Sequence, residues 1–137
     1  MSLRMANGAL VTSSVTLGGA PDSSRLKFCF EGLSAESGSN PYTPAEGAWT
    51  FTARGSRTQD DIDRILATVP APLPGFAGFL DAIADAMSGH GGGEVTFEDG
   101  RRSIALVTAI YTSAREGRLV QLPMGKNDAL YSGWLPS

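Results

Sequence analysis

Arg25-Leu26-Lys27-Phe28-Cys29-Phe30-Glu31 alternates strictly between polar and apolar side chains, and that alternation decides the fold. Successive side chains of a β-strand point to opposite faces, so Leu26, Phe28 and Phe30 share one face while Lys27 and Cys29 share the other with Arg25. A strand of this kind is covered on one side only, as antiparallel strands commonly are. Upstream, residues 9–17 alternate in the same way, with Val11, Val15 and Leu17 set against Thr12, Ser14 and Thr16. Between the two runs, Gly18-Gly19-Ala20-Pro21-Asp22 supplies a turn, so a hairpin joining residues 9–17 to residues 25–31 is expected. Earlier still, Arg4-Met5-Ala6-Asn7-Gly8 reads as the end of a strand and its turn. Met1-Ser2-Leu3 reads as an expression leader, which sets residues 1–5 apart as leader and truncated strand start.

Downstream, residues 32–47 are rich in Ser, Gly, Asn and Pro and read as a loop with one short strand near Leu33. Residues 48–53 form a firmer strand, with Trp49 and Phe51 on its buried face. Asp60, Asp61 and Asp63 precede Arg64, the order a helix dipole favours, so a loop or short helical turn is expected over residues 60–66. Past Pro70, Pro72 and Pro74, the apolar residues Phe76, Phe79, Leu80, Ile83 and Met87 recur at helical spacing and stop at Gly89. That stripe needs a surface to lie on, and the sheet is the candidate. A last helix opens at Thr96-Phe97-Glu98-Asp99, carries Ile104, Val107, Ile110, Tyr111 and Ala114 as its stripe, and ends at Gly117. Residues 119–122 read as a short terminal strand stopped by Pro123, followed by an extended arm over residues 125–137 with Tyr131 and Trp134. The sum is an α+β fold over residues 6–137: a mostly antiparallel β-sheet with helices packed on one face.

A chain of 137 residues, 42% hydrophobic, fits one domain of ordinary size. Eleven basic and fourteen acidic side chains leave a formal charge of -3, and the basic residues do not cluster, so nucleic acid is not an expected partner. Cys29 is the one cysteine, which excludes an internal disulfide and makes a reducing cytoplasm the expected location. No apolar run is long enough to span a membrane, and no membrane partner is expected.

The candidate chemistry is sparse. A dinucleotide site needs a strand, then Gly-x-Gly-x-x-Gly, then a helix, because the glycines let backbone approach the pyrophosphate. Gly89-His90-Gly91-Gly92-Gly93 follows a helix and has other spacing, so it reads as a connector. His90, the sole histidine, has no orienting partner in sequence and reads as a surface residue rather than a general base. The thiol of Cys29 reads as structural, and the Asp60, Asp61, Asp63 group lacks the glycine and terminal glutamate of a calcium loop. Arg101 and Arg102 sit beside Glu98 and Asp99, so local pairing is expected in place of an anion site. What remains is the polar sheet face: Thr12, Ser14, Thr16, Lys27, Cys29, Thr50 and Thr52. Facing water and packing against a second copy in a symmetric oligomer both fit it.

The run from Glu98-Asp99-Gly100-Arg101-Arg102 through Ser103-Ile104-Ala105-Leu106-Val107-Thr108-Ala109-Ile110-Tyr111, continuing to Gly117, resembles the final helix of Gfo/Idh/MocA oxidoreductases. Ala6-Asn7-Gly8-Ala9 is similar to a strand entry of that family, residues 76–86 to its penultimate helix, and Tyr131-Ser132-Gly133-Trp134-Leu135-Pro136 to a common ending. The resemblance implies the family's dihydrodipicolinate-reductase-like C-terminal domain, whose open sheet face commonly serves as the oligomer interface. For the parent protein it implies an amino-terminal Rossmann domain binding NAD or NADP. The implied reaction is hydride transfer at a hydroxyl-bearing carbon of a sugar, cyclitol or related polyol. The family's Glu-Lys-Pro lysine and its Asp/His pair lie upstream of the region matched, so no catalytic, cofactor-binding or metal-binding residue carries over. These residues by themselves are then expected to be inactive, to bind no cofactor and to form a homo-oligomer, with residues 34–44 bordering a substrate pocket. The competing expectation is a freestanding α+β module that binds a small ligand or dimerises without catalysis.

Overall fold

The computed structural model describes residues 1–71, 73–91 and 93–133. The chain divides into two compact units, Val15–Gly92 on one hand and Met1–Ser14 with Gly93–Ser137 on the other.

In the second of these units, β1 (Ser2–Arg4) pairs antiparallel with β2 (Leu10–Thr12) in the register Ser2↔Thr12, Leu3↔Val11, Arg4↔Leu10. The turn between them is closed by the Met5 N–H donating to Ala9 O at 2.8 Å and the Gly8 N–H donating to Met5 O at 2.9 Å. Gly8 has φ +87°, a conformation glycine adopts without a Cβ penalty, and the Asn7 carboxamide oxygen accepts from the Ala9 N–H.

The same unit contains α3 (Phe97–Glu116), opened by a capping box in which Thr96 Oγ1 accepts from the Asp99 N–H and the Asp99 carboxylate accepts from the Thr96 N–H. Gly117, at φ +63°, closes it. Its expected apolar stripe is not the buried face, since Ile104, Val107 and Tyr111 are exposed and Thr108, Ala109 and Thr112 are buried. The threonine hydroxyls donate back to Ile104 O (2.9 Å) and Thr108 O (3.0 Å), which satisfies their polar atoms and leaves a narrow face of small groups that can be covered closely. Residues 119–122 form no strand: Gly117 turns the chain and the segment finds no pairing partner. Replacing Thr96 with alanine removes an acceptor for a first-turn amide, so it should cost about 1 kcal/mol of stability. Urea unfolding followed by circular dichroism should show this as a lower midpoint at unchanged slope, with Thr96→Ser restoring most of it.

In the other unit, β3 (Lys27–Cys29), β4 (Leu33–Glu36) and β5 (Thr50–Ala53) form an antiparallel sheet in the order β3-β4-β5. The strand expected near Leu33 is therefore the central one. The hairpin expected between residues 9–17 and 25–31 does not form, because each run pairs with a nearer neighbour. The Phe30 N–H donates to Leu33 O at 2.8 Å across a turn far shorter than residues 18–24, and closing a short loop costs less entropy. Beyond Thr12 the alternating run is irregular, with Val15 and Leu17 in solvent.

On the apolar face, Phe28, Ala35 and Phe51 lie in one row. Ala35 is buried between the two phenylalanines, and Trp49 joins them. That ring stacks on Phe28 (centroids 6.1 Å) and on Phe51 (6.4 Å), while Phe28 also stacks on Phe30. After β5 comes α1 (Gln59–Leu66), a full helix where a loop or turn was expected, because Thr58 and Asp61 form a second capping box. Gln59 fastens it to the edge strand: its side chain accepts from the Ala53 N–H (3.1 Å) and donates to Phe51 O (3.2 Å). Ile62 of this helix is buried, 3% exposed.

The last helix of this unit, α2 (Gly75–Met87), starts from Pro74 in extended conformation and is followed by Ser88 and by Gly89 at φ +80°, the expected stop. Its expected packing is not observed. No residue of α2 is buried; Phe76 is 72% and Met87 86% exposed. The helix makes too few contacts with the sheet to bury its stripe, and Pro70 and Pro74, which fix their own φ angles and lack amide donors, lie on its approach. The expected extended arm with Trp134 lies in part outside the described residues, and residues 125–133 are a series of turns.

Candidate functional site: the polar face of the three-stranded sheet

The register of the sheet builds this face. Lys27, Glu36 and Thr50 form one row across the three strands, and Cys29, Ser34 and Thr52 form the next. Because side chains alternate, all six project to the side opposite the aromatic ladder. Glu36, on the central strand, accepts from Lys27 Nζ at 2.9 Å and from Arg25 Nη1 at 3.2 Å. The hydrogen bond from Lys27 and its charge, followed by Arg25, hold the Glu36 carboxyl below its ordinary value, and Glu36 in turn raises Lys27. The result is a fixed cluster of two cations around one carboxylate, flanked by hydroxyls and the exposed Cys29 thiol. Such a face can exchange hydrogen bonds and complementary charge with a protein surface, and it contains no pocket-bound base or nucleophile.

Of the seven side chains expected here, Lys27, Cys29, Thr50 and Thr52 do come together. The other three do not. Thr12 ends β2, paired in a separate sheet, and Ser14 and Thr16 lie in irregular chain, since the run containing them pairs with β1 only as far as Thr12. Ser34 and Glu36 were missed because Leu33-Ser34-Ala35-Glu36 is only four residues long within a Ser- and Gly-rich segment. The same apolar/polar alternation was nevertheless there to be read.

Residues 34–44, expected to border a pocket, begin as strand. A concavity of ≈ 490 Å³ opens elsewhere, lined among others by Phe30, Leu33, Arg57, Ile62 and Ile65. The pairing expected for Arg101 and Arg102 is present. Arg101 grips Glu98 with two bonds of 2.6 and 2.7 Å, and Arg102 adds a third at 3.1 Å. These bonds, Arg101's above all, hold the Glu98 carboxyl down to about 2. Asp99 is lowered as well, by its cap bonds to Thr96. Both folded values lie below those of the unfolded chain, so the stability they contribute is complete above about pH 4.5 and is lost as pH falls toward 2. Helical ellipticity should decline across that window, and in a Glu98→Gln variant the decline should be shallower.

His90 is exposed at the end of α2, with its backbone N–H donating to Asp85 O at 2.9 Å. Asp61 is occupied by capping and Asp63 by Gln59. Among the described residues no group of three His, Cys, Asp or Glu side chains is placed to hold a metal ion. Among the described residues no helix is long and apolar enough to cross a membrane. α1 and α3 start on threonine caps and α2 on Pro74.

Antiparallel strands in two sheets, followed by helices, define an α+β domain among the described residues. The chain belongs to the Gfo/Idh/MocA oxidoreductase family, whose model of the C-terminal alpha/beta domain matches residues 1–122. That match includes the strand entry at Ala6-Asn7-Gly8-Ala9 and the whole of α3, and stops before the ending at residues 131–136. No curated protein and no solved structure matches the chain.

Proposed function

We propose that these residues form the substrate-side and subunit-contact domain of an NAD(P)-dependent oxidoreductase acting on a sugar, cyclitol or related polyol in the cytoplasm. In this reading the nucleotide site and the hydride-transfer residues belong to a Rossmann domain outside residues 1–137, and these residues alone do not turn over substrate. The polar face of β3, β4 and β5 meets the same face of a second copy. The observation that carries the reading is the family match over residues 1–122. The six-residue polar face supports the contact, because Lys27 and Glu36 on it pair with each other within the sheet.

Sedimentation equilibrium tests the contact. The wild-type chain should associate, and Ser34→Arg with Thr52→Arg, which places like charges opposite each other across a two-fold axis, should weaken association at least about tenfold. A wild-type monomer, or association indifferent to the two arginines, would overturn the contact. Calorimetric titration with NAD and with NADP should give no binding heat, and micromolar binding of either would overturn the division of labour.

A further inference from the structure

The two edges of the three-stranded sheet differ. β5 is closed along its outer side by Gln59, whose side chain accepts from the Ala53 N–H and donates to Phe51 O. β3, the other edge, pairs with β4 alone, and its residues are all exposed. The Ser37 N–H donates to Leu26 O and the Phe30 N–H to Leu33 O, so residues 26, 28 and 30 commit their backbone groups to β4. By alternation Lys27 and Cys29 turn theirs outward, where no hydrogen bond among the described residues answers them. Lys27, a charge of the kind that wards strands off an edge, is drawn back onto Glu36 of the central strand at 2.9 Å. We infer that this edge takes β3 of a second copy of the chain, antiparallel about a two-fold axis at Phe28, so that the two sheets become one.

Three observations single out a second copy. The first is the sequence of the edge itself. About an axis at Phe28, Lys27 faces Cys29, Leu26 faces Phe30, and Arg25 meets the exposed Glu31 at the end of the partner strand. Polar residues meet polar, apolar meet apolar, and opposite charges meet at both ends. Arg25 gives Nη1 to Glu36 and keeps the other donors of its fork, while Glu31 has no ion pair among the described residues. The second is register. An axis at Lys27 sets two lysines opposite each other, and one at Cys29 runs the ladder into the turn at residues 30–33, so Phe28 is the centre that keeps residues 26–30 paired. The third is what the chain's own strands lack. Residues 1–21, which include β1, β2 and the unpaired run after Thr12, contain no Asp or Glu to meet Arg25. The edge of β5 is closed, so β3 meets its own like and the contact ends at a dimer. This pairing lies in the plane of the sheet, whereas the contact proposed above uses its polar face, and neither depends on the other.

The test is disulfide trapping in the full chain, with Cys29→Ser as background. Phe28→Cys puts two thiols at the axis, in a non-hydrogen-bonded pair whose Cα atoms lie about 4.5 Å apart, within disulfide reach. Leu26→Cys puts them on opposite sides of the axis, about 13 Å apart along the strands and out of reach. In a glutathione buffer the Phe28→Cys chain should become a covalent dimer at least about tenfold faster than the Leu26→Cys chain. Equal rates from folded chains, or no dimer from either, would overturn the inference. Where circular dichroism shows that Phe28→Cys does not fold, an equimolar mixture of Leu26→Cys and Phe30→Cys chains decides. It should give dimers joining position 26 to position 30, and homodimers or monomers alone would overturn the inference. With Ser34→Arg and Thr52→Arg added, these links should persist although the polar contact is broken. Their loss would assign them to the polar face and overturn the edge pairing.

Discussion

Ile62→Ala is expected to lower the unfolding free energy of the Val15–Gly92 unit by about 3 kcal/mol, the cost of losing a buried branched side chain and leaving a void. Ile62 is the one large side chain of α1 that is buried. The helix has only eight residues, too few to stand by propensity, so its place on the sheet depends on that contact and on the Gln59 bonds to β5. Ile65, on the same helix, is 54% exposed, and Ile65→Ala should cost well under about 1 kcal/mol. Urea denaturation of both variants, followed by circular dichroism, makes the comparison. Equal losses would mean that α1 is not anchored as described.

The legible parts of this fold are those governed by local chemistry. Thr96 with Asp99, Gly117 and Gly89 announced helix ends, and each end is where they put it. The faces of Arg25-to-Glu31 were legible for the same reason: alternation of side chains is a property of one strand. Pairing is a property of two. Residues 9–17 had the right alternation for a partner of β3, but nothing in one strand's pattern says whether Asn7-Gly8 or Gly18-Asp22 makes the turn that closes first. The shorter closures won, and with them Thr12, Ser14 and Thr16 left the predicted face.

The candidate site shows the same limit from the other side. Glu36, its electrostatic centre, sat in a segment whose Ser and Gly content masked a four-residue strand, although Arg25 and Lys27 opposite it were an unanswered pair of cations in the sequence. Helical stripes mislead in a further way. The periodicity of Ile104, Val107 and Tyr111 shows which residues share a face, whereas burial depends on which face a neighbour can approach. On α3 that is the row of Thr108, Ala109 and Thr112, whose hydroxyls are already satisfied by their own helix.

Trp49→Ala is expected to cost about 2 to 3 kcal/mol, below the loss for a fully buried tryptophan because the ring is only half-buried. The indole ties three parts of the unit together. Its ring stacks on Phe28 of β3 and Phe51 of β5, and its Nε1–H donates to Ala45 O at 3.1 Å, holding the segment before β5. Trp49→Phe keeps a ring between the two phenylalanines and loses the hydrogen bond, so it should cost about 1 kcal/mol. If packing dominates, the alanine variant is the less stable of the two by at least about 1 kcal/mol in urea, and Ala35→Leu, which overfills a buried position between Phe28 and Phe51, is destabilised as well. Equal losses for Trp49→Ala and Trp49→Phe would assign the effect to the Ala45 bond and remove the ladder as the organising contact of this sheet.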